Sequence, residues 1–112
     1  MIARHLAPAV LAALAVALVA PPAPAAAEDA AKIFATSCAP CHGKDGQPNA
    51  VFAKQGVRNF KDAAWQKATS DAQIEKTIRE GKTGTMMASF EKQFSPQEIK
   101  ALAAYVRQLG KK

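Results

Sequence analysis

Cys38, Ala39, Pro40, Cys41 and His42 stand in a row. A C-x-x-C-H run is the spacing that attaches haem through thioether bonds. Each thiol adds to one vinyl group of the ring. Two residues between the cysteines let one helical turn present both sulfurs to the same ring edge. The next residue, His42, then projects beneath the iron as its proximal ligand. Three other chemistries use similar residues. A disulfide between Cys38 and Cys41 is one. A thioredoxin-like dithiol is a second, and Pro40 ahead of the second cysteine suits it. That fold alternates strands with helices, however, and the sequence has no period-2 alternation long enough for a strand. Zinc is a third. A structural zinc site needs four ligands, and beyond position 27 the chain holds two cysteines and one histidine. One haem c, covalent through Cys38 and Cys41, is the favoured reading.

The opposite axial position must come from elsewhere. Haem iron in electron carriers takes His on one side and Met on the other, and Met raises the reduction potential. His42 is the only histidine after position 27, which excludes a bis-histidine haem within one chain. Met, Lys, water or nothing remain. Met86 and Met87 are adjacent and some 45 residues beyond His42, ample for the chain to cross to the other haem face. Flexible thioethers also fill cores, and spacing alone does not separate the two.

Helical signals surround these residues. Ala30, Ile33, Phe34 and Cys38 fall at helical spacing after Asp29, an expected N-cap, and predict a first helix of about ten residues. Ser70 to Gln73 reads as a capping box, with Ile74 and Ile78 on one face and Gly81 as the stop. Ser95-Pro96-Gln97-Glu98 opens another helix, with Ile99, Leu102, Val106 and Leu109 as its stripe and Gly110 as its end. A short helix around 62–67 holds Trp65. The stretches 43–59 and 82–94 read as irregular. The expected class is therefore all-α, with three or four helices and two long loops, and loops this long in a small domain usually wrap something.

Composition bears on what is wrapped. Arg4 and His5 begin a short basic segment, 6–20 carries no charge, and Pro21, Pro22 and Pro24 precede Ala25-Ala26-Ala27. That order predicts a secretory signal peptide over 1–27, cleaved before Glu28. The uncharged run is shorter than a bilayer span, so no stable membrane anchor is expected after cleavage. Residues 28–112 would form one exported, periplasmic domain. It has fourteen Ile, Leu, Val and Phe in 85 residues, about 16%, below the roughly 20% of ordinary globular chains. A domain this small buries only about 60% of its unfolded surface. A haem supplies a large apolar disc for those few residues to pack on.

From Glu28 onward the sequence resembles a class I cytochrome c. An early helix runs into C-x-x-C-H-G, a wrap follows, then M-M-x-x-F, then a final helix ending in A-Y-V-R-x-L. The resemblance implies the cytochrome c fold around one covalently bound haem. In that family the Met of M-P-x-F is usually the ligand. Met87-Ala88-Ser89-Phe90 matches with Ala88 in place of Pro, so the resemblance gives the iron-ligand role to Met87, with Met86 second. It also implies that the first and last helices cross through Phe34, Leu102 and Tyr105, and that the Trp65 indole donates to a haem propionate. Pro48 is the expected carbonyl partner for the Nδ1–H of His42, a bond that fixes the ring and raises its basicity.

A haem with His42 and Met87 on the iron has no open position for substrate. The expected function is one-electron transfer, as a periplasmic shuttle or as the cytochrome subunit of an exported dehydrogenase, not an enzyme in itself. A haem sensor or peroxidase-like enzyme with a dissociable sixth ligand is the alternative. The formal charge of +6 predicts redox partners with acidic docking surfaces. Lys44, Lys54, Lys61, Lys82 and Lys92 are scattered, individually a solvated surface, and no clustered basic stretch points to nucleic acid.

Overall fold

A computed structural model of the chain describes residues 3, 5, 7–15 and 24–112. Of the expected signal peptide, residues 1–2, 4, 6 and 16–23 lie outside these, and 3, 5 and 7–15 form no helix or strand. All regular structure among the described residues is helical, and among them no helix is long and apolar enough to cross a membrane.

The first helical stretch is longer than expected. Helix α1 spans Pro24–Ile33, a π-helical turn spans Phe34–Cys38, and α2 spans Ala39–His42. Asp29 thus lies inside the helix and does not cap it, because the alanines ahead of it are strong helix formers. The expected cleavage point before Glu28 falls within α1. The π turn has a local cause. Pro40 has no N–H to give the Thr36 carbonyl and its ring presses on that carbonyl; the wider turn, closed by the Ala39 N–H on the Phe34 carbonyl, accommodates it. Gly43 ends the stretch at φ +85°, its N–H on the Ala39 carbonyl. A Cβ there would lie 2.0 Å from the Gln47 carbonyl oxygen, so the turn after His42 admits only glycine.

The next segment was expected to be irregular throughout, yet α3 spans Ala50–Lys54. The Asn49 side chain caps it by accepting from the Phe52 N–H at 3.0 Å. Five residues are too few to show an apolar stripe, and the Asn49 cap was the available signal. Helix α4, Ala63–Ala68, starts where Asp62 accepts from the Ala64 and Trp65 N–H groups. Helix α5, Asp71–Glu80, and helix α6, Pro96–Leu109, begin at the two capping boxes, with both reciprocal bonds formed in each. Counting 24–42 as one element, this makes five helices where three or four were expected, the extra one being α3.

Helix α6 is the hub, with α1 and α5 packed on it. The core holds Ala30, Phe34, Phe60, Ile74, Ile78, Ile99, Leu102, Ala103, Val106 and Leu109. The Phe34 and Tyr105 rings meet at 4.9 Å, and Leu102 is buried in the same cluster, so the first and last helices do join through these three residues. Phe34 and Leu102 are the two largest side chains that are fully buried. Truncation of Phe34 to alanine is expected to cost about 3–5 kcal/mol. Urea unfolding of the holoprotein measures it, and a loss below about 1 kcal/mol would show that the helix crossing tolerates the gap.

Candidate functional site

Helix α2 and the π turn carry Cys38, Cys41 and His42 to the edge of a cleft of about 750 Å³. Phe52, Phe60, Ile74, Met87, Phe90 and Leu102 are among the apolar residues of its wall. Both cysteines are unpaired and half-buried. Burial, and secondarily the neighbouring Cys41, push the Cys38 thiol up to about 11. At neutral pH it stays a thiol, a poor start for disulfide exchange, which needs the thiolate. No strand exists among the described residues to support a thioredoxin-like arrangement.

His42 is held on two sides. Its Nδ1 lies 3.0 Å from the Arg58 carbonyl oxygen. A carbonyl only accepts, so Nδ1 carries the hydrogen and Nε2 keeps its lone pair. The Phe60 ring stacks on the imidazole, with centroids 4.3 Å apart and planes 17° apart. Burial lowers the His42 pKa and the Arg58 carbonyl offsets part of that, which favours the neutral ring that can ligate a metal. Pro48 is not the acceptor. The Phe60 N–H bonds to the Gly46 carbonyl at 2.8 Å, which pins the segment after Arg58 against the turn following His42 and brings the Arg58 carbonyl to the ring. Arg58 gave no signal in the sequence, because every residue carries a carbonyl.

Across 82–90 the chain forms a loop fastened to the end of α5. Gly81 stops α5 at φ +73°, and a Cβ there would meet the Met87 oxygen and the Ser89 nitrogen at 2.8 Å each. The Lys82 N–H donates to the Met87 carbonyl at 3.0 Å, the Phe90 N–H to Ile78 at 3.1 Å, and the Ser89 hydroxyl to Arg79 at 2.6 Å. Thr85 donates its hydroxyl to the Lys82 carbonyl at 2.7 Å and accepts from the Met87 N–H at 3.2 Å. These bonds hold Met87 without the proline that Ala88 replaces. Met86 and Met87 both line the cleft, but Met87 is half-buried against the core whereas Met86 is 69% exposed. Trp65, half-buried beside Phe60 at 5.3 Å between ring centroids, also lines the cleft. So do the exposed side chains of Arg58, Lys76 and Lys82. Lys61 instead lies 3.9 Å from Asp45.

An apolar slot with two free thiols and a ligating imidazole nitrogen at one edge, and thioethers along its wall, fits a covalently held haem. Comparison with known proteins agrees. The family described as "Cytochrome C oxidase, cbb3-type, subunit III" matches residues 25–106. The cbb3-type cytochrome c oxidase subunit FixP of Azorhizobium caulinodans is 41% identical over 85 residues, 76% of this chain and 28% of that protein. Subunit CcoP of Azospirillum brasilense is 34% identical over 87 residues, 77% of this chain and 29% of that protein. The chain thus spans less than a third of the length of these curated relatives. Among solved structures, the KustC0563 c-type cytochrome matches at TM-score 0.66 and 41% identity, over 71% of this chain and 95% of that one. On sequence, all-helical fold and cleft together, the chain belongs to the cytochrome c family, in the group described as subunit III of cbb3-type cytochrome c oxidase.

Proposed function

We propose that the chain is an exported, periplasmic monohaem electron carrier, with one haem joined to Cys38 and Cys41 and its iron held by His42 and Met87. The observation that carries this reading is the His42 imidazole at the cleft edge, its Nδ1–H on the Arg58 carbonyl and its Nε2 free. When bound, haem supplies a one-electron couple on iron.

The residues of the chain do the rest. Arg58 and Phe60 fix the imidazole in one orientation and make it a better donor. Met87 offers a neutral, soft sulfur that favours the reduced metal. The phenylalanines of the wall keep water from the ligands, which limits reorganisation when charge changes. Arg58, Lys76 and Lys82 place positive charge at the cleft, which suits an acidic docking surface on a redox partner and salt-sensitive encounter. The curated relatives are named as oxidase subunits and are more than three times as long as the stretch this chain matches. We assign to this chain the role of a cytochrome unit, delivering electrons to or from a larger redox protein.

Attachment is tested by mass and colour. Purified from a host equipped for haem attachment, the protein is expected to be red, with the mass of the polypeptide plus one haem after denaturation. Cys38→Ser with Cys41→Ser is expected to release the haem on denaturation. A colourless product with the bare polypeptide mass would overturn the assignment.

A further inference from the structure

We propose that Gln66, held by Arg107 of the last helix, is a positioning residue for His42 and thereby sets the reduction potential; this rests on the His42-ligated haem above. The Gln66 amide nitrogen donates to the Phe60 carbonyl at 2.8 Å and to the Val106 carbonyl at 3.1 Å. The Val106 carbonyl belongs to the last turn of α6, where carbonyls lack helical partners. Arg107, in the same turn of α6, holds Gln66 and the end of α4. Its Nη1 donates to the Gln66 backbone oxygen at 2.6 Å and to the Gln66 side-chain oxygen at 2.8 Å, and its Nε donates to Asp71 at 2.6 Å. Its Nη2 donates to the Thr69 carbonyl.

The strut ends at the residue that faces the imidazole. Phe60 is both the acceptor for Gln66 and the ring stacked on His42, and Arg58, two residues before it, supplies the carbonyl for Nδ1. Room for the strut is built into the fold. A Cβ at Gly110 would lie 2.7 Å from the Gln66 amide nitrogen, and Gly110 has an ordinary right-handed conformation. Glycine therefore stands at this helix end for space and not for a left-handed turn. A clamp that served only to join α4 to α6 would not need to reach the Phe60 carbonyl.

If the strut loosens, the Arg58 carbonyl withdraws from Nδ1–H. The imidazole becomes a weaker donor, the oxidised iron loses more than the reduced iron, and the potential rises. Gln66→Met keeps the side-chain length and removes the amide. In the reduced holoprotein, NMR is expected to show His42 Nδ1–H exchanging with solvent about tenfold faster, as the loss of one to two hydrogen bonds implies. Voltammetry is expected to show a higher potential. Arg107→Lys, which keeps a cation for Asp71 and loses the planar fork, is expected to shift both readouts the same way by less. Ile99→Val, a core change of comparable cost in stability, should leave both unchanged. Gln66 has no positioning role if Gln66→Met or Arg107→Lys folds with exchange and potential as in the parent, or if Ile99→Val shifts them equally. A parent protein without a histidine-ligated low-spin spectrum would instead defeat the haem assignment itself.

Discussion

Met87→Ala is expected to abolish the weak sulfur-to-iron band at the red edge of the oxidised spectrum and to lower the reduction potential, while Met86→Ala leaves both intact. The two side chains are neighbours, so the contrast tests position and not composition. Met87 packs against the core and its peptide is bonded on both sides, the carbonyl to Lys82 and the N–H to Thr85. Met86 is 69% exposed and packs on little. A ligand sulfur must wait near the iron in both oxidation states, and a side chain already ordered by its loop gives up less entropy in doing so. Without Met87 the iron is left to water or to a mobile substitute, and carbon monoxide should bind the reduced protein rapidly where the parent resists it. Retention of the band in Met87→Ala with loss in Met86→Ala would move the ligand by one residue. Loss in neither would mean that the sulfur is not a ligand, and would revive a haem with an open sixth position.

Much of this site was legible because its signals are local. The C-x-x-C-H run places three groups within one and a half turns of helix. The capping boxes of α5 and α6 are closed by side chains three residues away, and both form as the sequence implies. Ile74, Ile78, Ile99, Leu102, Val106 and Leu109 were readable as helix faces and are all buried. The failures share the opposite property. The acceptor for His42 sits sixteen residues downstream and is a backbone oxygen, so only the path of the chain could choose Arg58 over Pro48. Gln66 and Val106 are forty residues apart, and neither a glutamine nor an arginine on a helix announces a distant carbonyl. Gly110 ends α6 as its residue type implies, yet in an ordinary right-handed conformation and with the Gln66 side chain where a Cβ would lie, which no local signal reveals. Asp29 has the residue type of a cap, but the alanines upstream need no cap to be helical, and α1 begins among them at Pro24.

The largest effect of all is expected from withholding the haem. Made in a compartment that does not attach haem, residues 28–112 are expected to show no cooperative thermal transition by circular dichroism. The reasoning begins with quantity. Domains hold together by only about 5–15 kcal/mol, and this one has few large apolar residues to supply it. Phe52, Phe60, Ile74, Met87 and Phe90 all turn one side to the same cleft of about 750 Å³. With water there, that apolar surface is exposed and its lining has no packing partner on that side. Among the described residues the Met87 loop is tied to α5 and not to α2, and the two sides of the cleft are joined through their packing on α6. Helical signal should survive only in part, chiefly in α6, whose fourteen residues, capping box and N-terminal proline bring it near the length at which a helix is marginal alone. A sharp, cooperative melt of the haem-free chain with full helical content would show that the protein side chains suffice, and the low apolar content would then need another explanation. If the melt is absent, the axial ligands and thioethers are structural members as well as redox ones. Substitutions at Phe60 or Phe90 should then lower the melting temperature of the holoprotein and loosen the packing on the haem together.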